Sequence, residues 1–174
     1  MRQREKIQEM LWAVGGRGKF EVTKMNIGII SDTHGNLSRQ ALQALEGVSR
    51  ILHAGDIGGP EVLTQLERVA PVTAVRGNTD GAWAREIPLT EMLTLGHKTI
   101  YILHDLFALD LEPAAAGIDL VISGHTHRAE SRIVKDIVYF NPGTASVPRH
   151  GGPLTVGRIR ISTNGIHPDI IQIG

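Results

Sequence analysis

Five times along this chain a short apolar run stops at a loop of glycine, aspartate, asparagine or histidine. Ile27–Ile30 leads into Ser31-Asp32-Thr33-His34-Gly35-Asn36, and Arg50–Ala54 into Gly55-Asp56-Ile57-Gly58-Gly59. Val72–Val75 is followed by Gly77-Asn78-Thr79-Asp80, Thr99–Leu103 by His104-Asp105, and Leu120–Ser123 by Gly124-His125-Thr126-His127. Runs this short, rich in Ile, Leu and Val, read as buried strands. Between the first three lie two helical patterns. Ser38–Gly47 carries Leu37, Ala41, Leu42 and Leu45 along one side, and Pro60 suits the first position of a helix reaching about Val69. Strand–helix–strand–helix–strand order implies right-handed crossovers and a parallel sheet covered by helices.

The second half reads differently. Met92–Leu95 and Thr99–Leu103 flank Gly96-His97, Ile133–Val134 and Ile137–Phe140 flank Lys135-Asp136, and Val156–Ile161 and Ile166–Ile173 flank Thr163-Asn164-Gly165. All three are hairpin signals. Leu111–Gly117 reads as a short helix. The expected fold is α/β, a mixed two-sheet β-sandwich flanked by helices.

At 174 residues the chain suits one domain, read over 25–174. Residues 1–24 read as an extension, helical or dispensable, because Ile7, Met10, Leu11 and Val14 keep helical spacing until Gly15, Gly16 and Gly18 break it. Aromatics are only 4% of the chain, so the core must come from Ile, Leu, Val and Ala. The 18 basic residues balance 18 acidic ones, which disfavours wholesale binding to nucleic acid or membranes. With no cysteine, disulfides, thiolate metal sites and cysteine nucleophiles are excluded. No apolar run is long enough to span a bilayer. The stretch Met10–Val14 is too short for a signal peptide, and Glu5 and Glu9 precede it, so a cytoplasmic location is expected.

The loops after parallel strands converge on one crevice. Asp32-x-His34 and His125-x-His127 each put two donors two residues apart, so both can face one cation. A central carboxylate such as Asp56 can bridge two ions, and Asn78 adds a neutral oxygen. Two metals ~3.5–4 Å apart clamp the attacking and leaving oxygens of a phosphate ester and lower the pKa of bound water to ~7. No side-chain nucleophile is then required.

Asp32-x-His34, Gly55-Asp56, Gly77-Asn78, His104 and Gly124-His125-x-His127 together resemble, in order, the metal-binding motifs of calcineurin-like metallophosphoesterases. The likeness is strongest to the small bacterial and archaeal phosphodiesterases of that superfamily. Asn141-Pro142-Gly143-Thr144, followed by Pro148-Arg149, resembles their Asn-Pro-Gly-Ser segment. The resemblance runs from Met25 to the end and implies a four-layer αββα fold.

It also implies a dinuclear centre. Asp32, His34 and His127 hold one metal, Asn78, His104 and His125 the other, and Asp56 bridges them, with manganese expected first and iron, zinc, nickel or magnesium as alternatives. Catalysis would fall to Asp56, Asn78 and His104, with in-line attack on a phosphodiester by a hydroxide bridging the metals. Asn36, Asn78 and Arg149 are the expected substrate contacts. The expected partner is a small phosphodiester, and a homo-oligomer is expected from the small relatives. Two departures stand out. Many relatives carry a histidine after Gly-Asn, where this chain has Thr79, and Asp105 follows His104 where Gly-His is common.

Plainer roles compete at several positions. Asn36 reads more readily as a cap on the following helix. Arg149 reads equally as a solvated charge. Asp80 either orients a neighbouring ligand or ends its turn. His53 either supports a ligand from behind or fills space. His97, His150 and His167 read as surface residues. Two other functions compete as well, a nuclease on polymeric nucleic acid and a catalytically silent binding module like the coat subunits that share this fold.

Overall fold

The structure is a computed structural model, and it describes residues 24–148 and 151–174. The extension read over 1–24 therefore lies, apart from Lys24, outside the described residues, as do Arg149 and His150.

The chain opens with β1 (Met25–Ile30), α1 (Arg39–Ala44), β2 (Arg50–His53), α2 (Pro60–Glu67) and β3 (Val72–Ala74). It continues with β4 (Thr90–Leu95), β5 (Lys98–Leu103), β6 (Leu120–Ile122), β7 (Ala129–Val134), β8 (Ile137–Pro142), β9 (Thr155–Ser162) and β10 (Gly165–Gln172). Among the described residues these strands form two five-stranded sheets, ordered β10-β9-β1-β2-β3 and β4-β5-β6-β8-β7. The parallel pairs β1–β2 and β2–β3 are those the strand–helix alternation calls for. The three expected hairpins form as β4–β5, β7–β8 and β9–β10. In the β7–β8 turn Lys135 and Asp136 take φ of 51° and 64°. Left-handed backbone at both central positions matches the twist of the flanking strands.

Side-chain alternation builds the sandwich. Ile27 and Ile29 of β1, Leu52 of β2 and Ile159 and Ile161 of β9 meet Ile100, Ile102, Ile122 and Phe140 of the other sheet in one buried cluster. The opposite face of the first sheet carries Ile30 and Ile51. They pack with Ala41 and Leu45 from around α1 and with Val62 and Leu66 of α2. Burying such a side chain contributes about 1.5–3 kcal/mol.

The helices are thinner than the sequence suggests. Helix α1 begins at Arg39 because Ser38, not Asn36, caps it, the Ser38 Oγ accepting from the Ala41 N–H at 3.1 Å. The capping role read for Asn36 is therefore corrected. Leu111–Gly117 forms a single turn instead of a helix. Ala116 N–H donates to Glu112 O and Ile118 N–H to Pro113 O, and Gly117 at φ 68° reverses the chain at once. This turn and the 3₁₀ turn Leu106–Ala108 lie beside the second sheet's outer face, where Leu106, Leu109 and Leu111 pack on Tyr101, Leu103 and Val121. Among the described residues no helix is long and apolar enough to cross a membrane.

Candidate metal centre

The loops after β1, β2, β3, β5 and β6 meet at one end of the sandwich, so both sheets supply residues to one place. The chain bends sharply there. Asp32, His34, Asp56, His125 and His127 all adopt positive φ, at 54°, 45°, 53°, 66° and 58°. A residue with a Cβ seldom takes this conformation, and it costs energy that the surroundings must offset. Backbone hydrogen bonds between the loops do so. Asp32 N–H donates to Gly55 O at 3.0 Å, His34 N–H to Asp56 O at 2.9 Å, and Gly124 N–H to His104 O at 2.9 Å. Two glycines allow the close approach. A Cβ on Gly77 would overlap the Asp56 carboxylate, and one on Gly124 would overlap Ser31 Oγ.

The seven candidate ligands come together. His127 Nε2 lies 3.1 Å from Asp32 Oδ1 and 3.3 Å from His34 Nε2. Asp56 sits between two groups, its Oδ2 3.9 Å from His34 Nε2 and its Oδ1 3.4 Å from His104 Nε2. Asn78 Oδ1 is 3.1 Å from His104 Nε2 and 3.0 Å from His125 Nδ1. Two trios bring three ligand atoms within 4.8 Å of one another, Asp32–His34–His127 and Asp32–Asp56–His104.

The chemistry of these atoms fits a divalent cation. His127 Nδ1 faces the Val147 carbonyl at 2.9 Å and His104 Nδ1 faces the Ala54 carbonyl at 2.7 Å. Each carbonyl takes the Nδ1 proton, which leaves Nε2 of the neutral ring as a lone pair aimed inward. Asp32 Oδ1 is fully buried and, among the described residues, accepts no hydrogen bond. A buried carboxylate oxygen beside lone-pair nitrogens is costly unless a positive charge joins them.

Without a cation, protons are favoured at Asp32 and at His104 Nε2 in its place. Burial pushes the Asp32 carboxyl up, only partly offset by its Ser31 hydrogen bond and by His104 and His127. Burial also pushes Asp56 up, but hydrogen bonds from His104 and the Thr79 N–H, with the charge on His104, reverse this and hold it well below the usual carboxylate range. For His104, burial lowers the pKa, and Asp56 together with the Ala54 carbonyl raises it overall.

Behind the candidate ligands stands a set of supporting residues that the sequence only half announces. Asp80 accepts from the N–H groups of Ile57, Gly58 and Gly77 at 3.1, 2.8 and 2.8 Å, tying the β2 loop to the β3 loop. It orients its neighbours and does more than end a turn. His53, completely buried, accepts from the Gly55 N–H at Nδ1 and donates from Nε2 to Thr33 Oγ1, whose own proton goes to Ile57 O. Asn141 donates to Gly124 O at 2.7 Å and Thr126 Oγ1 at 3.1 Å, and accepts from the Gly143 N–H at 2.9 Å. Thr144 and Ser146 hydroxyls donate to Asp32 O at 3.1 and 2.9 Å, a support missed in the sequence, where their only signal is a place just after Asn141-Pro142-Gly143.

Asn36 is exposed two residues beyond His34, and Arg149 lies outside the described residues. His97 and His167 are on the surface, as expected.

Residues 25–164 match the family model of the calcineurin-like phosphoesterase superfamily domain. A protein of Methanothermobacter thermautotrophicus named "Probable metallophosphoesterase" is 36% identical over 162 residues, covering 86% of this chain and 94% of its own length. A phosphodiesterase of Methanocaldococcus jannaschii is 32% identical over 138 residues, covering 68% of this chain and 83% of its own. A solved archaeal phosphodiesterase superposes with a TM-score of 0.70 at 27% identity, over 84% of this chain and 100% of that one. With the family model spanning most of the chain, and relatives aligned along most of their own lengths, the protein belongs to the calcineurin-like phosphoesterase superfamily.

Proposed function

We propose that this phosphoesterase hydrolyses phosphodiester bonds with two divalent metal ions, manganese being the first candidate among metals that accept nitrogen and oxygen donors. Asp32, His34 and His127 would hold one ion and Asn78, His104 and His125 the other, with Asp56 between them. One observation carries the reading. Among the described residues the buried Asp32 Oδ1 accepts no hydrogen bond, and with the inward Nε2 atoms of His127 and His104 it makes a donor set that a cation would satisfy.

Bound metals supply Lewis-acid polarisation of the phosphoryl oxygen and an acidified water. The residues do the positioning. The Ala54 and Val147 carbonyls fix the His104 and His127 tautomers, and Asp80 and Asn141 hold the ligand loops in register. The Asn78 amide, exposed at the mouth of the site, is the proposed contact to a phosphate oxygen, with Asn36 and Arg149 as further candidates.

Thr79 occupies the position where many relatives carry a histidine, and its N–H is committed to Asp56 Oδ1 at 2.9 Å. A threonine hydroxyl is a poor general acid at neutral pH, so substrates whose leaving group needs no protonation should react best. A silent binding module would not need all seven ligand residues. A nuclease would draw on a basic tract that the balanced charge does not supply.

The reading is tested by stripping the protein with chelator, restoring manganese, and following bis(4-nitrophenyl) phosphate beside 4-nitrophenyl phosphate. Metal-dependent turnover that favours the diester is expected. Turnover indifferent to metal, or a preference for the monoester, would contradict it.

A further inference from the structure

A cavity of about 400 Å³ opens directly beside the second ligand set, with Asn78, His104 and His125 in its wall. It is bounded elsewhere by Leu89, Leu103 and Ala108, and by two carboxylates, Asp105 and Asp110. Asp105 Oδ1 accepts from the Phe107 N–H at 3.0 Å, and among the described residues its other oxygen has no hydrogen-bond partner. Among the described residues neither carboxylate pairs with a lysine or arginine, and no basic residue besides the two ligand histidines lines the cavity. The volume sits at the low end of small-ligand pockets, ~300–1,000 Å³. It has room for one compact group.

From this geometry we infer that the cavity receives one ester substituent of the substrate and selects for a compact, non-anionic group bearing hydrogen-bond donors, either hydroxyl or ammonium. The inference rests on the phosphodiesterase reading above and adds the class of substrate to it. A phosphodiester held at the ligand residues has two substituents, and this cavity is a recess adjoining Asn78, His104 and His125. A hydroxyl or ammonium group entering it finds two acceptor carboxylates. A second phosphate or a carboxylate finds like charge with no lysine or arginine to offset it, the proposed ion at Asn78, His104 and His125 being engaged by the scissile phosphate, which makes the pocket selective by repulsion as well as attraction. Polyphosphates and strands with neighbouring phosphates are disfavoured on the same ground.

Two measurements test it, one of which needs no turnover. The first maps amide chemical shifts of zinc-loaded protein on adding 4-(aminomethyl)phenol, 4-(hydroxymethyl)phenol or 4-hydroxybenzoate. The first two should perturb Thr90, Ala108 and Asp110, and the benzoate should bind about tenfold more weakly. The second compares symmetric diaryl phosphates carrying the same three substituents, so that either orientation places the group in the cavity. Asp110→Asn should narrow the preference against carboxylate about fivefold in kcat/KM and in binding. Equal binding of the three phenols, or an unchanged preference in Asp110→Asn, overturns the inference even if every diester is hydrolysed. If no diester turns over with metal restored and the binding preference persists, the phosphodiesterase reading fails and the pocket's selectivity stands.

Discussion

Asp56 divides its carboxylate between two sets of partners. Oδ1 accepts from the Thr79 N–H at 2.9 Å and faces His104, while Oδ2 faces His34. Asparagine at this position keeps an acceptor for Thr79 but removes the charge. Asp56→Asn should therefore keep the native circular dichroism spectrum and lose activity by about 10³-fold; a folded variant near wild-type activity would remove Asp56 from its central role. His53 offers a different test. Burial, with a smaller push from His104, takes its pKa down to about 3. A histidine with a folded pKa below its unfolded value binds fewer protons folded than unfolded, so it stabilises fully above pH ~6.5 and less as the pH falls toward 3. Below pH ~6.5 the stability advantage of metal-free wild type over His53→Gln should shrink by about 1.4 kcal/mol per pH unit. Taking the difference subtracts the slope of opposite sign that His104, with its raised pKa, gives to both proteins. Denaturant titrations at several pH values check this, and a constant difference would contradict it. The candidate ligands were legible because Asp, His and Asn recur in the loops after strands. The role of His53 was not, since a single histidine in an apolar strand carries no record of what its two nitrogens meet.

The loop between β6 and β7 shows how one element is held by another. Asn141, within β8, uses its amide to grip Gly124 O and Thr126 Oγ1, and so fixes the stretch bearing His125 and His127. Removing such a support typically costs ~10–100-fold in metal affinity. Asn141→Ala should show that loss in calorimetric titration of chelator-stripped protein with manganese, with secondary structure intact. Unaltered affinity would reduce the contact to a turn feature. The hairpins were legible from their turn residues, and the parallel trio from strand–helix alternation. Strand partners distant in sequence were not, because nothing local tells β9 to lie against β1 or β8 to separate β6 from β7. The stretch Leu111–Gly117 misled for a local reason, since Pro113 and Gly117 leave room for only one turn. At α1, Ser38 took the cap because its hydroxyl reaches Ala41 N–H.

For the whole molecule, the ligand loops come from both sheets, so bound metal would join the two halves of the sandwich. The same convergence puts Asp32 and Asp56 close together, at a cost when no cation is present. A ligand at 100 times its Kd adds about 2.7 kcal/mol, and about 2–4 °C per kcal/mol is usual for a chain of this size. Chelator should therefore lower the thermal midpoint by roughly 5–10 °C, and manganese should restore it. An unchanged midpoint would mean that no metal links the sheets.

The central claim is the position of two ions, and it is tested most directly by crystals grown with manganese and measured for anomalous scattering. The account predicts two peaks in each chain, one among Asp32, His34 and His127 and one among Asn78, His104 and His125, with Asp56 reaching both. A single peak, or peaks away from these side chains, would contradict it.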